Sequence, residues 1–114
     1  MELVVTIYRA TDSFPKEERY SLTDQIRRAA SSVPSNIAEG AGRQTKKEFI
    51  NYLHMAQGSL SELDTQLDLA KRLGYLAQES WVNFDAQIER IDKMLSGLIR
   101  HQRGNGVKRG ATKT

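Results

Sequence analysis

The stretch from Ser31 to Glu48, SSVPSNIAEGAGRQTKKE, decides how the chain folds, because the helical pattern on either side of it is interrupted here. Pro34 falls inside a run of apolar residues at helical spacing. A proline there removes one backbone donor and crowds the preceding turn, at a cost of roughly 3 kcal/mol. Asn36 and Glu39 follow among small residues, Gly40 and Gly42 loosen the end, and Thr45 with Glu48 has the spacing of a capping box. The stretch therefore predicts a kinked helix to about Ala41, a tight reversal and a new helix. A true break at Ser31–Ser32 is the alternative.

Working outward, the kinked helix begins near Ser21 and Asp24, which suit an N-terminal cap, and carries Leu22, Ile26, Ala29, Ala30, Val33 and Ile37 at intervals of three or four. After the reversal, Phe49, Leu53, Ala56, Leu60, Leu63, Leu67 and Ala70 alternate by four and three, a heptad seam running from Lys46 to about Leu73. Gly74 stands where a left-handed cap belongs. From about Gln78 the same alternation returns in Trp81, Phe84, Ile88, Ile91, Leu95 and Leu98. A connection this short predicts an antiparallel hairpin, with Trp81 near Ala70, Phe84 near Leu67, Ile88 near Leu63 and Leu95 near Ala56. The same count across the reversal sets Pro34 near Met55, Ser31 near Gly58, and Arg27 or Arg28 near Ser61 and Glu62. Close approach of the kinked helix then accounts for Gly58, a residue that costs about 1 kcal/mol in a helix interior.

At the N-terminus, Leu3, Val4, Ile7 and Tyr8 mark a short first helix over Glu2 to Thr11. A helix so short is stable only when packed. Phe14–Pro15 makes a bend, and KEER is a solvated loop or a single helical turn. The expected fold is all-α: one up-down antiparallel four-helix bundle over residues 1–102, with a short first helix, a Pro-kinked second helix and a disordered basic tail over 103–114.

Composition narrows the function. The chain has 114 residues, 39 % of them hydrophobic and 27 % charged, enough for one domain with a real core. No apolar run reaches the roughly 20 residues of a membrane span, and no cationic-then-apolar leader opens the sequence, so a cytoplasmic protein is expected. Cysteine is absent, which excludes disulfides, thiolate metal sites and cysteine nucleophiles. The formal charge is +3, but four of the 17 basic residues lie beyond Gln102, leaving 13 against 14 acidic in the bundle. Nucleic-acid binding must therefore rest on a patch, not on net charge.

The run FPKEERYSLTDQIRRAASSVPSNIAEGAGRQTKKEF from Phe14 to Phe49, together with GSLSELDTQLDLAKRLGYL from Gly58 to Leu76, closely resembles the four-helix bundle proteins encoded in intervening sequences of bacterial 23S rRNA genes. The pairing of P-x-N-x-A-E-G-x-G-R with a later G-S-L-x-E-L is far more specific than either half. The resemblance implies an up-down bundle that assembles into a ring-like homo-oligomer, usually a pentamer, with a biochemical role undefined for most members. It also extends to bundle proteins that accompany reverse transcriptases in diversity-generating retroelements and bind nucleic acid through a basic surface. Members usually have three or four further turns of first helix before the residues matching Glu2–Ala10. Here Leu3–Ala10 covers only Leu22–Ala29, so Val33, Ile37 and Ala41 are expected to be exposed or sealed by another subunit.

No enzyme, cofactor, metal or small-molecule substrate is argued by any residue pattern. Glu39 or Glu62 as a general acid or base has no nucleophile, metal ligand set or phosphate loop beside it, and a polar network of Asn36, Glu39 and Glu62 that fixes helix register is the better expectation. His54 and His101 are isolated, with no Glu-x-x-His or His-Glu-x-x-His. Gly40-Ala-Gly42 lacks the third glycine and the strand of a dinucleotide fingerprint. Arg43, Lys46 and Lys47 cluster at the reversal, and Arg27–Arg28 and Lys71–Arg72 make two further basic pairs. Such pairs are ordinarily solvated faces, but a ring repeats them into a collar able to hold phosphate backbone of RNA or DNA without base readout. The competing reading is a structural adaptor that docks a protein partner on the kinked helix.

Overall fold

The structure, a computed structural model, describes residues 2–111, with side chains through Gly104. All the described regular structure is helical: α1 (Glu2–Thr11), a 3-10 turn (Lys16–Glu18), α2 (Leu22–Ala41), α3 (Lys46–Arg72) and α4 (Gln78–Ala111). The apolar seams meet in one core. Ile7, Ile26, Leu53, Leu60, Leu63 and Leu67 are its largest fully buried side chains, joined by Phe84, Ile88, Leu95 and Ile99 from α4. Burying a leucine or isoleucine contributes about 1.5–3 kcal/mol, so the heptad ladder of α3, facing both α2 and α4, dominates the stability.

The helix ends follow from local chemistry. Thr45 Oγ1 accepts the Glu48 amide at 3.1 Å and donates to the Glu48 carboxylate at 3.0 Å, which fixes the start of α3. At its other end Gly74 takes φ +84°, Tyr75 N–H bonds the Ala70 carbonyl at 2.9 Å and Gly74 N–H that of Lys71 at 3.0 Å, a Schellman motif. Ser21 does begin α2, but its hydroxyl donates to Glu18 at 2.7 Å and caps no amide.

Helix α2 is continuous through Pro34, so no break occurs at Ser31–Ser32. Polar contacts flank the proline: Ser32 Oγ meets Ser59 Oγ of α3 at 2.8 Å, and Asn36 Nδ2 donates to both the carbonyl and the hydroxyl of Ser32 at 2.9 Å. The Ser32–Ser59 pair sets the α2–α3 register two residues from the count across the reversal, which puts Ser32 opposite Gln57.

One expectation is corrected. A Cβ built on Gly58 meets nothing within 4 Å, whereas one on Gly40 would stand 2.6 Å from Tyr52 Cβ and 3.0 Å from Phe49 Cδ1. Close approach of the two helices thus occurs at Gly40, one turn from the reversal, and Gly58 faces solvent. Helix α4 extends to Ala111, into the segment 103–114 read from the sequence as a disordered tail. Residues 112–114 lie outside the described range.

Candidate nucleic-acid interface

The three basic clusters singled out in the sequence have different surroundings. Arg27 turns back onto α1: Nε donates to Thr11 Oγ1 at 2.8 Å, Nη2 to the Tyr8 carbonyl at 3.1 Å, its guanidinium lies 4.6 Å from the Tyr8 ring centroid, and Asp12 is 3.8 Å away. Arg28 pairs with Asp24 at 3.0 Å. Neither reaches Glu62, which is exposed and has no charged partner among the described residues. Helix α1 offers Arg27 two oxygens and an aromatic face instead.

Lys71 and Arg72 converge on Asp68, at 3.2 and 3.0 Å, and their hydrogen bonds, Arg72 first, hold its carboxyl below the ordinary aspartate range. Lys71 also sits 4.0 Å from the Trp81 ring centroid. One carboxylate between two cations leaves this cluster partly neutralised.

The reversal is different. Arg43 donates from Nη2 to Glu39 Oε2 and to Tyr52 Oη, both at 2.7 Å, with its guanidinium 5.0 Å from the Tyr52 ring centroid. The phenol beside it, more than the Glu39 carboxylate, pushes the Arg43 pKa further up. Lys46 and Lys47 are exposed on the first turn of α3 and form no ion pair with a described acid. Every residue from Ala41 to Glu48 is exposed. The polar network expected of Asn36, Glu39 and Glu62 is therefore not one unit. Asn36 joins Ser32 and Ser59, Glu39 joins Arg43, and Glu62 joins neither.

Two features go unsignalled by spacing alone. Asp64 of α3 and Asp85 of α4 face each other across a cleft also lined by Ser61, Glu89 and Asp92, of about 340 Å³. Asp64 is pushed up to about 6, by burial first and then by the hydrogen bond and charge of Asp85. Gln57 Nε2 bridges to Asp92 Oδ1 at 3.1 Å and Ser96 Oγ at 2.9 Å on the same face. Among the described residues no group of three or more His, Cys, Asp or Glu is arranged to hold a metal ion.

The other feature is an apolar groove of about 350 Å³, lined by Leu3 and Val4 of α1, Ile91 of α4 and the second half of α2, including Val33, Pro34, Ile37 and Ala41. It lies beside the first turn of α1. Of the three residues expected to lack cover, Val33 is already buried, Ile37 is half-buried and Ala41 is exposed. One turn beyond Ile91, Met94 is 67 % exposed.

No described helix is long and apolar enough to cross a membrane. Nothing among the curated proteins matches the chain. A crystal structure of a protein of unknown function from the S23 ribosomal protein family of Bacteroides thetaiotaomicron VPI-5482 superposes with a TM-score of 0.75 at 26 % identity, over 85 % of this chain and 88 % of that one. The same four-helix arrangement is thus found in a solved relative. The family model described as 23S rRNA-intervening sequence protein matches residues 1–97, most of the chain, from α1 into α4, and the chain belongs to that family.

Proposed function

We propose that the protein is a non-catalytic, cytoplasmic, self-associating bundle that holds the phosphate backbone of RNA or DNA at the α2–α3 reversal. The observation that carries the proposal is the contrast among the cationic clusters: Arg27, Arg28, Lys71 and Arg72 face carboxylates, while Lys46 and Lys47 project into solvent without one. Cations left unneutralised on a turn attract phosphate, and the attraction weakens with salt as counterions are released. Self-association is supported by the apolar groove along α2, which a second copy would cover, and the sequence resemblance suggests a ring of five. A ring multiplies each pair of lysines around one axis.

Light scattering on the purified protein, followed by titration of 20-nucleotide RNA and DNA at 50 and 200 mM salt, tests the two parts. A defined oligomer whose affinity falls with salt is expected. A monomer, or no binding at 50 mM salt, overturns the corresponding part. The groove also favours a second reading, in which the bundle is an adaptor that docks a protein on α2. Partner capture that needs Ile37 and survives loss of Lys46 and Lys47 would select it.

A further inference from the structure

The antiparallel course of α3 and α4 carries the C-terminal turns of α4 back to the end of the bundle where α3 begins. Arg103 is fixed there: its Nη2 lies 3.3 Å from His54 Nε2 of α3. His54 is seven residues from Lys47, about 10 Å along the helix axis. Arg100 stands one turn before Arg103, and both arginines are exposed. Neither forms an ion pair with a described acid. Against Arg43, Lys46, Lys47, Arg100 and Arg103, the reversal and the facing turns of α4 offer the carboxylates of Glu39 and Glu48. Glu39 is taken up by Arg43, and Glu48 lies against the Thr45 hydroxyl. The bundle therefore has one positively charged end, although residues 1–102 together carry no excess of basic residues.

Resting on the reading that the reversal holds phosphate, we propose that the binding surface has a second wall. The C-terminal reach of α4, through Arg100 and Arg103, holds the same strand that Lys46 and Lys47 hold. The two walls are about 10 Å apart along α3, the length of about three stacked nucleotides at 3.4 Å per residue of strand. One continuous stretch of backbone meets both. Contacts of this kind fix position and carry no base sequence, so unstructured RNA and DNA strands of equal length are the ligands that fit. Arg28 and Arg72, each facing an aspartate away from this end, lie outside the surface.

The test is fluorescence anisotropy with a 20-nucleotide oligouridylate and its deoxythymidylate counterpart, from 25 to 200 mM salt, on the full chain. Compared are wild type, Arg100→Gln/Arg103→Gln, Lys46→Gln/Lys47→Gln and Arg28→Gln/Arg72→Gln. All the changed side chains but Arg103 are free of His54, and thermal melts show whether the α4 pair still folds. Each lost phosphate contact lowers the slope of log affinity against log salt by about 0.7 on a single strand, so the α4 pair should lower it by about 1.4 and weaken binding about tenfold or more at 50 mM. The Lys46/Lys47 pair should do the same, and the Arg28/Arg72 pair should change neither quantity. An unchanged slope in the α4 pair, with the lysine pair impaired, overturns the second wall and leaves the reversal reading standing. Equal losses in all three pairs overturn it in favour of diffuse attraction. No binding by the wild type at 25 mM salt removes both.

Discussion

The two ends of the bundle are built in opposite ways. At one, the α1–α2 link folds under the α3–α4 turn: Phe14 is buried with its ring centroid 5.7 Å from that of Tyr75, Leu76 is buried beside them, and Tyr75 Oη donates to Glu18 Oε2 at 2.9 Å. Hydrogen bonds from Ser21 and Tyr75 hold the Glu18 carboxyl below its ordinary range, and the carboxylate in turn pushes the Tyr75 phenol up. At the other end residues 41–48 are all exposed, an apolar groove runs along α2, and basic side chains from the reversal, α3 and α4 project into solvent. Cross-linking of loops by aromatic and charged contacts makes the first end a source of stability. The second keeps charge and apolar surface uncovered, which a fold does only at some cost and which a binding surface requires.

The largest expected effect tests whether the open end is nevertheless tightly packed at its base. Gly40→Val would drive a β-branched side chain into Tyr52 Cβ and the Phe49 ring, where even a Cβ has only 2.6 Å. Overpacking of this kind costs on the order of 3 kcal/mol. Urea denaturation should show the midpoint lowered accordingly, and a wild-type midpoint would mean that α2 and α3 do not close on each other there.

Between the ends lies the Asp64–Asp85 contact, whose effect depends on pH. With its folded pKa at about 6 against an ordinary 3.8, Asp64 binds a proton more readily in the folded protein. Its contribution is therefore favourable below about pH 4 and is lost as pH rises through 6. Asp68, Asp85, Glu89 and Asp92 on the two facing helices add to the negative field there. Asp64→Asn should raise the stability at pH 7.5 by on the order of 1–2 kcal/mol, with little gain at pH 4. Thermal melts at both values decide it, and an equal gain at both would assign the effect to packing instead of charge.

At the closed end, Tyr75→Phe keeps the ring against Phe14 and removes the hydrogen bond to Glu18. A small loss of stability is expected, less than for a buried charged bond because solvent reaches the carboxylate. The same change should leave nucleic-acid affinity untouched. A variant that lost binding as well would dissolve the division of labour between the ends.

Much of this was legible in the residue spacing. The seams of α3 and α4 fix their own register, because a short connection leaves one antiparallel pairing that buries both, and Gln57 opposite Asp92 and Lys71 beside Trp81 follow that count closely. The capping pair Thr45 and Glu48 and the positive φ of Gly74 were readable because each is a local chemical requirement. The partner of Arg27 was not, since a long side chain chooses among all oxygens within reach and the nearest belong to α1. The basic end was hidden for a related reason: Arg100 and Arg103 are some 55 residues from Lys46 and Lys47, and glycines that read as a tail are carried within α4 as far as Ala111.

The smallest effect has the opposite sign, and it comes from the glycine that the spacing misplaced. A glycine in the middle of a leucine-rich helix invites the inference that another backbone presses against it, and counting from the reversal puts α2 there. Gly58 is exposed instead, with nothing within 4 Å of an added Cβ, while the close approach lies at Gly40. At an exposed helical position without a positive φ, alanine restricts the unfolded chain and loses nothing in the folded one, so Gly58→Ala should stabilise by up to about 1 kcal/mol. Set beside Gly40→Val, it gives a pair of glycine replacements on facing helices with effects of opposite sign. A destabilised Gly58→Ala protein would mean that this face of α3 is covered in solution, and since nothing among the described residues covers it, a second copy would have to.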